Sequence, residues 1–221
     1  VVIHDEPKEH PMTDADRVVL FHAPHSRSSG ALVLLEELGV PYDLHLLNIR
    51  AGEQRQAAYL AVNPMGKVPA ILHREVLVTE QIAVYQYLAD TFPAAGLAPA
   101  LTDPRRGPYL RWMAFYAGCF EPAIADKALK RDPGPHMMSP YGSFDSVLET
   151  LTVQLRSAPY MLGEAFSAAD VLWGGALGWM TRFGILAETP EIKAYVERTT
   201  SRPAALRVRQ KDAELAASQS A

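Results

Sequence analysis

RVVLFHAPHSRSSGALVLLEELGVPYDLHLLNI, residues 17–49, decides the fold. Arg17 to His22 is a short β-branched and aromatic run, the composition of a strand. Ala23-Pro24-His25 makes a turn, and Ser26 stands where a helix needs a capping oxygen. Ala31, Leu34, Leu35 and Leu38 recur at i, i+3, i+4 and i+7, which is one apolar helical face. Gly39 supplies the left-handed residue that ends the helix. Tyr42 to Ile49 is a second strand. A helix of this length between two short strands is a crossover, so the strands pair in parallel.

Downstream, residues 51–62 are polar and loosely helical, and Asn63-Pro64-Met65-Gly66 is a turn cluster. Val68 to Leu72 reads as a third strand and Glu75 to Val78 as a fourth, close enough to form an antiparallel hairpin. Thr79-Glu80-Gln81 opens a helix to about Phe92. The order is βαβ, then ββα. Pro93 to Asp103 is rich in Pro, Ala and Gly without a period, which marks a linker. All that follows is helical. Asp103-Pro104 opens a helix to about Arg131, with a kink expected at Pro122. Its apolar face carries Tyr109, Trp112, Met113, Tyr116 and Phe120. A loop at 132–140 leads to a helix at 141–157. Ser167 and Asp170 form a capping box, with Phe166 and Val171 at the staple positions. Gly174, Gly175 and Gly178 each cost that helix ~1 kcal/mol, a cost that close approach of a neighbouring helix offsets. Thr189-Pro190 caps one more helix. Pro203 opens the last, which is expected to fray beyond about Asp212.

The class is therefore α/β plus all-α. We divide the chain into a domain at 16–92, a linker at 93–103 and a helical-bundle domain at 104–221. Residues 1–15 are polar and patternless and read as a disordered tail, with Met12 the expected native start. The chain has 221 residues, 48% of them hydrophobic, and a formal net charge of -4. Nothing in that balance points to nucleic acid or to an anionic membrane. The longest apolar stretch, Val171 to Met180, is about half of the ~18–20 residues a bilayer requires. No basic, apolar leader opens the chain, so no signal peptide is expected. The single cysteine, Cys119, excludes an internal disulfide and a dithiol or zinc cluster. A reducing, cytoplasmic setting follows, with Cys119 an inert core residue and no metal.

Four signatures, in this order and at this spacing, carry a resemblance. They are His25-Ser26-Arg27-Ser28-Ser29 leading to Leu34-Leu35-Glu36-Glu37-Leu38-Gly39-Val40-Pro41-Tyr42, then Asn63-Pro64-Met65-Gly66-Lys67-Val68-Pro69-Ala70, then Thr79-Glu80-Gln81-Ile82-Ala83, then the Ser167–Asp170 box. Over about residues 17–210 the chain resembles the cytosolic glutathione transferase superfamily, in a bacterial, serine-activated form. The resemblance implies a thioredoxin-like first domain and glutathione as co-substrate.

It also implies roles. Pro69 is cis, and Val68 offers its backbone to the cysteinyl part of glutathione. Glu80 takes the α-amino group and Gln81, where the family usually has Ser, helps to hold the α-carboxylate. Lys67 either reaches the glycyl carboxylate or stays solvated. A free thiol has a pKa of ~8.5, and lowering it by two units takes ~2.7 kcal/mol. A hydroxyl donating to the sulfur supplies ~1.5–3 kcal/mol and a helix N-terminus adds ~0.3–1. Ser26 fits that position best. Ser28, His25 and Arg27 stay open as alternatives or as helpers that stabilise the thiolate, and Ser26 is equally suited to capping its helix. Trp112 and Tyr116 are expected on the wall of an electrophile pocket. The expected partners are a small electrophile and a second copy in a homodimer. A non-catalytic binding or protein-interaction module is the rival reading. A redox enzyme is disfavoured because no cysteine lies in the first turn.

Overall fold

The crossover forms as expected in the computed structural model, which describes residues 17–219. The tail at 1–15 and Met12 lie outside the described residues. Strand β1 (Val18–His22) runs into helix α1 (Arg27–Leu38) and returns as β2 (Tyr42–Leu46), parallel to β1. Ser26 caps α1, its side chain accepting the Ser28 N–H, and Gly39 closes the helix at φ 67°. After a short helix α2 (Ala57–Leu60), β3 (Ala70–His73) pairs antiparallel with β1, and β4 (Val76–Val78) with β3. The sheet order is β2-β1-β3-β4. Helix α3 (Gln81–Thr91) completes this domain.

Alternation along β1 sorts its side chains between two faces. Val18 and Leu20 enter the main core against α1 and α3, whereas Phe21 joins Tyr59 of α2, Leu47 and Ala70 in a smaller cluster. By the same alternation His22 falls on the main-core face. That core continues without a break into the helical domain, through Trp112, Trp173, Leu177 and Tyr195.

The helix expected from Asp103-Pro104 starts slightly later. The Asp103 carboxylate accepts the Arg105 N–H at 2.8 Å, and α4 (Arg106–Phe115) starts after that turn. Where a kink is expected, a π-helical turn, Tyr116–Phe120, stands immediately before α5 (Glu121–Leu129), which has Pro122 in its first turn. Helices α6 (Phe144–Ser157), α7 (Ala168–Arg182), α8 (Pro190–Thr200) and α9 (Pro203–Ser218) follow. The expectation of fraying beyond Asp212 is corrected: α9 continues to Ser218, and Asp212 is buried against the first domain. Cys119 is half-buried at the core margin rather than inside it. Among the described residues no helix is long and apolar enough to cross a membrane.

Two of the three α7 glycines meet α8. A Cβ on Gly174 would lie 2.2 Å from Thr199 Oγ1 and 2.6 Å from Thr199 Cβ, and one on Gly178 would lie 3.1 Å from Val196 Cγ1. Gly175 faces open space, so close approach does not account for it. Opposite outcomes are expected for adjacent substitutions. Gly174→Ala should destabilise by about 1–3 kcal/mol through overpacking. Gly175→Ala should stabilise by up to about 1 kcal/mol through helix propensity. Urea unfolding of both variants reads this directly, and equal shifts would show that the α7–α8 contact is looser than described.

Candidate functional site

Strand register gathers three of the four signatures at one end of the sheet. Phe21 pairs with Ala70, so Val68-Pro69 lies just beyond the end of β1 and beside the turn at 23–26. Ile71 pairs with Val78, so Glu80-Gln81, two residues past β4, emerges at that same end. The N-termini of α1 and α3 open there. These N–H groups and their partial positive charge suit a thiolate and a carboxylate.

The turn after β1 is held by side chains. Ser26 is half-buried, and its hydroxyl donates to the Ala23 carbonyl at 2.7 Å, with Ser28 Oγ 2.8 Å away. Ser28 is fully buried, accepts the Ala23 N–H at 3.0 Å, and meets His22 Nδ1 at 2.8 Å. His22 Nε2 in turn meets Asp212 Oδ1 at 3.0 Å. Asp212 Oδ2 accepts the His25 N–H at 3.1 Å and a short bond from the Ser29 hydroxyl. Burial alone would raise the Asp212 carboxyl. The donors from His22, Ser29 and His25 outweigh it and hold the group below the ordinary aspartate value. The carboxylate's contribution to stability is therefore complete above that ordinary value and is lost as pH falls through its own lower one. The stability gap between the wild type and Asp212→Ala should close on acidification from pH 7 into that range. A gap that stays constant in urea titrations would show that Asp212 is not held as a carboxylate.

The other expected residues divide into those at this sheet end and those elsewhere. The Val68–Pro69 peptide is cis. Among the described residues the Val68 N–H and carbonyl pair with no other backbone group. The loop before it is pinned at the Lys67 carbonyl, which accepts Tyr59 Oη–H at 2.6 Å and Asn63 Nδ2–H at 2.9 Å. Burial pushes the Tyr59 phenol up to about 12, so it remains a donor. The Lys67 side chain is exposed. Glu80 is exposed and held at φ 66°, a region costing a non-glycine residue ~1–3 kcal/mol. Its side chain makes no cap bond to α3, so helix capping does not explain it. Gln81 is half-buried at the first position of α3.

His25 is exposed at φ 57°. The Arg27 guanidinium is already balanced by a bidentate pair with Glu121, at 3.0 and 2.9 Å. Trp112 and Tyr116, expected on a pocket wall, lie mostly within the core, and Trp112 also lines a groove beside Arg111, Ser146 and Gln154. They are 2% and 3% exposed, and their rings pack around Trp173 at 5.7 and 5.2 Å because this face of α4 and the π turn packs inward on α7. Burial, then Glu121, drives the Tyr116 phenol well above its ordinary value, and it donates to Glu121 Oε1 at 2.6 Å.

Sequence reasoning gave no role to His22, Asp212, Glu121 and Tyr59, and quoted Ser29 and Asn63 only within the signatures; these side chains hold the turn, the Arg27 guanidinium and the Lys67 loop. The signal for Asp212 was its spacing: Ala204, Val208 and Asp212 recur every fourth residue on the buried face of α9.

Comparison with known proteins agrees with this architecture. The glutathione S-transferase N-terminal domain family matches residues 17–90 and the glutathione S-transferase C-terminal domain family matches residues 142–203, together more than half of the chain. Glutathione S-transferase GstA of Escherichia coli O157:H7 is 27% identical over 191 residues, covering 83% of this chain and 93% of that protein. A glutathione transferase structure from Methylococcus capsulatus superposes with a TM-score of 0.76 at 28% identity, covering 89% of this chain and 98% of that one. A sphingomonad glutathione S-transferase in complex with glutathione superposes at 0.73, again at 28% identity, covering 88% and 98%. With both domain families in sequence on one chain, and the sheet end of the first built as described, the chain belongs to the glutathione S-transferase superfamily.

Proposed function

We infer that the protein is a glutathione transferase that ionises the glutathione thiol and directs it at a small electrophile. One observation carries this reading. A half-buried serine at a helix N-terminus, an unpaired backbone at Val68 and the Glu80-Gln81 helix start converge at one end of the sheet. In this reading the cysteinyl backbone of glutathione adds to Val68 as a short strand, in the position that Pro69 sets. Glu80 takes the α-amino group. Gln81 and the α3 N-terminus hold the α-carboxylate, and Lys67 takes the glycyl carboxylate. Ser26 donates to the sulfur. Its accessibility favours it over Ser28, which is fully buried.

Serine activation of a bacterial type, a cytoplasmic setting and the division at 93–103 belong to the same proposal. So does a homodimer, supported by exposed apolar side chains on both domains: Met65, Val76 and Leu77 on the first, Leu110 and Val153 on the second. Calorimetric titration with glutathione, followed by turnover of an aromatic halide on the same sample, tests the function. Micromolar-to-millimolar binding with turnover is expected. Binding without turnover would favour a non-catalytic module, and the absence of binding would refute the glutathione site.

A further inference from the structure

A chain of polar atoms leads inward from Ser26 and ends on the last helix. Ser26 Oγ to Ser28 Oγ is 2.8 Å, Ser28 Oγ to His22 Nδ1 is 2.8 Å, and His22 Nε2 to Asp212 Oδ1 is 3.0 Å. Ser28, His22 and Asp212 are all buried. An ionised carboxylate only accepts, so the proton between ring and carboxylate sits on Nε2. In the neutral imidazole Nδ1 is then an acceptor facing the Ser28 hydroxyl. Both serine hydroxyls also lie within reach of the Ala23 carbonyl, Ser26 at 2.7 Å and Ser28 at 3.1 Å, and once they turn from it the bonds run from Ser26 through Ser28 to the ring.

We propose that Ser28 and His22 form a relay that carries the thiol proton of glutathione inward from Ser26 to His22, with Asp212 as the positioning residue that fixes the ring. The proposal rests on the glutathione-transferase reading with Ser26 at the sulfur. The Ser26 hydroxyl first turns from the Ala23 carbonyl to Ser28 Oγ, and the Ser28 hydroxyl from the same carbonyl to His22 Nδ1, each a rotation about one bond. The thiol S–H bond then breaks as Ser26 Oγ takes the proton. Ser26 passes its own proton to Ser28, and Ser28 passes its own to His22 Nδ1. One S–H bond is lost and one N–H bond is gained. The sulfur keeps the electron pair, and the imidazole becomes an imidazolium against the Asp212 carboxylate. Both serines end as hydroxyls, and that of Ser26 now donates to the thiolate. No co-reactant is needed.

The remaining ionisable groups around the turn have other partners or face solvent. His25 is exposed, and Arg27 pairs with Glu121 of α5. On α9, Arg207 and Lys211 pair with Glu36 and Tyr42.

The relay predicts where the proton goes. Calorimetry of the wild-type protein in two buffers of different ionisation enthalpy counts the protons released per glutathione bound. Ultraviolet absorbance counts the thiolate formed. S-methylglutathione, which has no thiol proton, serves as reference. Thiolate formation with no more protons released than for S-methylglutathione is expected. One extra proton released per thiolate, or binding without thiolate, overturns the relay. Failure of glutathione to bind overturns the transferase reading itself, and the relay with it.

Asp212→Asn presents an amide N–H to Nε2 and so favours the tautomer protonated at Nδ1, which cannot accept. A fall in kcat/KM on the order of 100-fold is expected, with the thiol pKa of bound glutathione raised and its KM unchanged. Glu37→Gln is the control. It weakens the other anchor of α9, the bidentate pair of Arg202 with Glu37 at 2.7 Å, and touches no relay atom. If Glu37→Gln raises the thiol pKa as much as Asp212→Asn does, docking of α9 and not the relay controls the thiol.

Discussion

Asp170→Ala will cost the folded chain about 3–5 kcal/mol, because several buried neutral donors lose their acceptor at about 1–3 kcal/mol each. Asp170 is fully buried and accepts four hydrogen bonds. Its Oδ2 takes the Ser167 N–H at 2.9 Å and the Ser167 hydroxyl at 3.0 Å, and its Oδ1 takes the Met161 N–H and Tyr195 Oη–H, each at 2.8 Å. A capping interaction alone is worth ~1 kcal/mol. Here truncation also strands buried donors from three residues, at about 1–3 kcal/mol for each one left unsatisfied. Burial is severe enough to raise the carboxyl above its ordinary value despite those four donors. Against a total stability of about 5–15 kcal/mol, the loss should be visible as poor recovery of folded protein. Asp170→Asn should do little better, because its amide nitrogen would face donors on one side. Urea unfolding decides the matter: a cost below about 1 kcal/mol for Asp170→Ala would mean that the box is only a helix cap.

For Ser26→Ala the expected loss is in the chemistry. The hydroxyl is half-buried at the α1 N-terminus and donates to the Ala23 carbonyl, whereas the half-buried Ser29 hydroxyl is held by Asp212. A charge-assisted bond to the sulfur is worth ~1.5–3 kcal/mol, so kcat/KM should fall about 10- to 100-fold. KM for glutathione should change little, because the backbone at Val68 and the α3 N-terminus remain. Ser26 Oγ also accepts the Ser28 N–H at 3.1 Å, so a stability loss of about 1 kcal/mol accompanies the substitution. Recording the pH dependence of turnover together with a melting curve separates the two effects. An unchanged kinetic pKa with full turnover would exclude Ser26 as the thiol's partner.

What the sequence disclosed was local. The Ser26 cap, the Gly39 stop and the parallel crossover each rest on residues within a few positions of one another, and all three appear in the fold. Helical periodicity likewise marked the face holding Trp112 and Tyr116. It could not say which neighbour that face meets, and the rings of both residues meet Trp173 of α7. Asp212 lies 190 residues from the histidine it contacts. Its surroundings, small and polar, resemble a frayed end until Ala204 and Val208 are placed on the same face. His22 read simply as the last residue of a strand. Its role depends on which side of the sheet α9 covers, and no pattern within β1 reveals that.

The docking of α9 also orders events in time. A ribosome releases the first domain long before residue 212 has been synthesised, and domains generally fold N-terminal first during synthesis. Until α9 arrives, the first turn has Ser26 and Ser28 but no carboxylate behind His22. Chains cut short before Asp212 would lack the group that orients His22. Completion of the polypeptide is thus built into the competence of its N-terminal site.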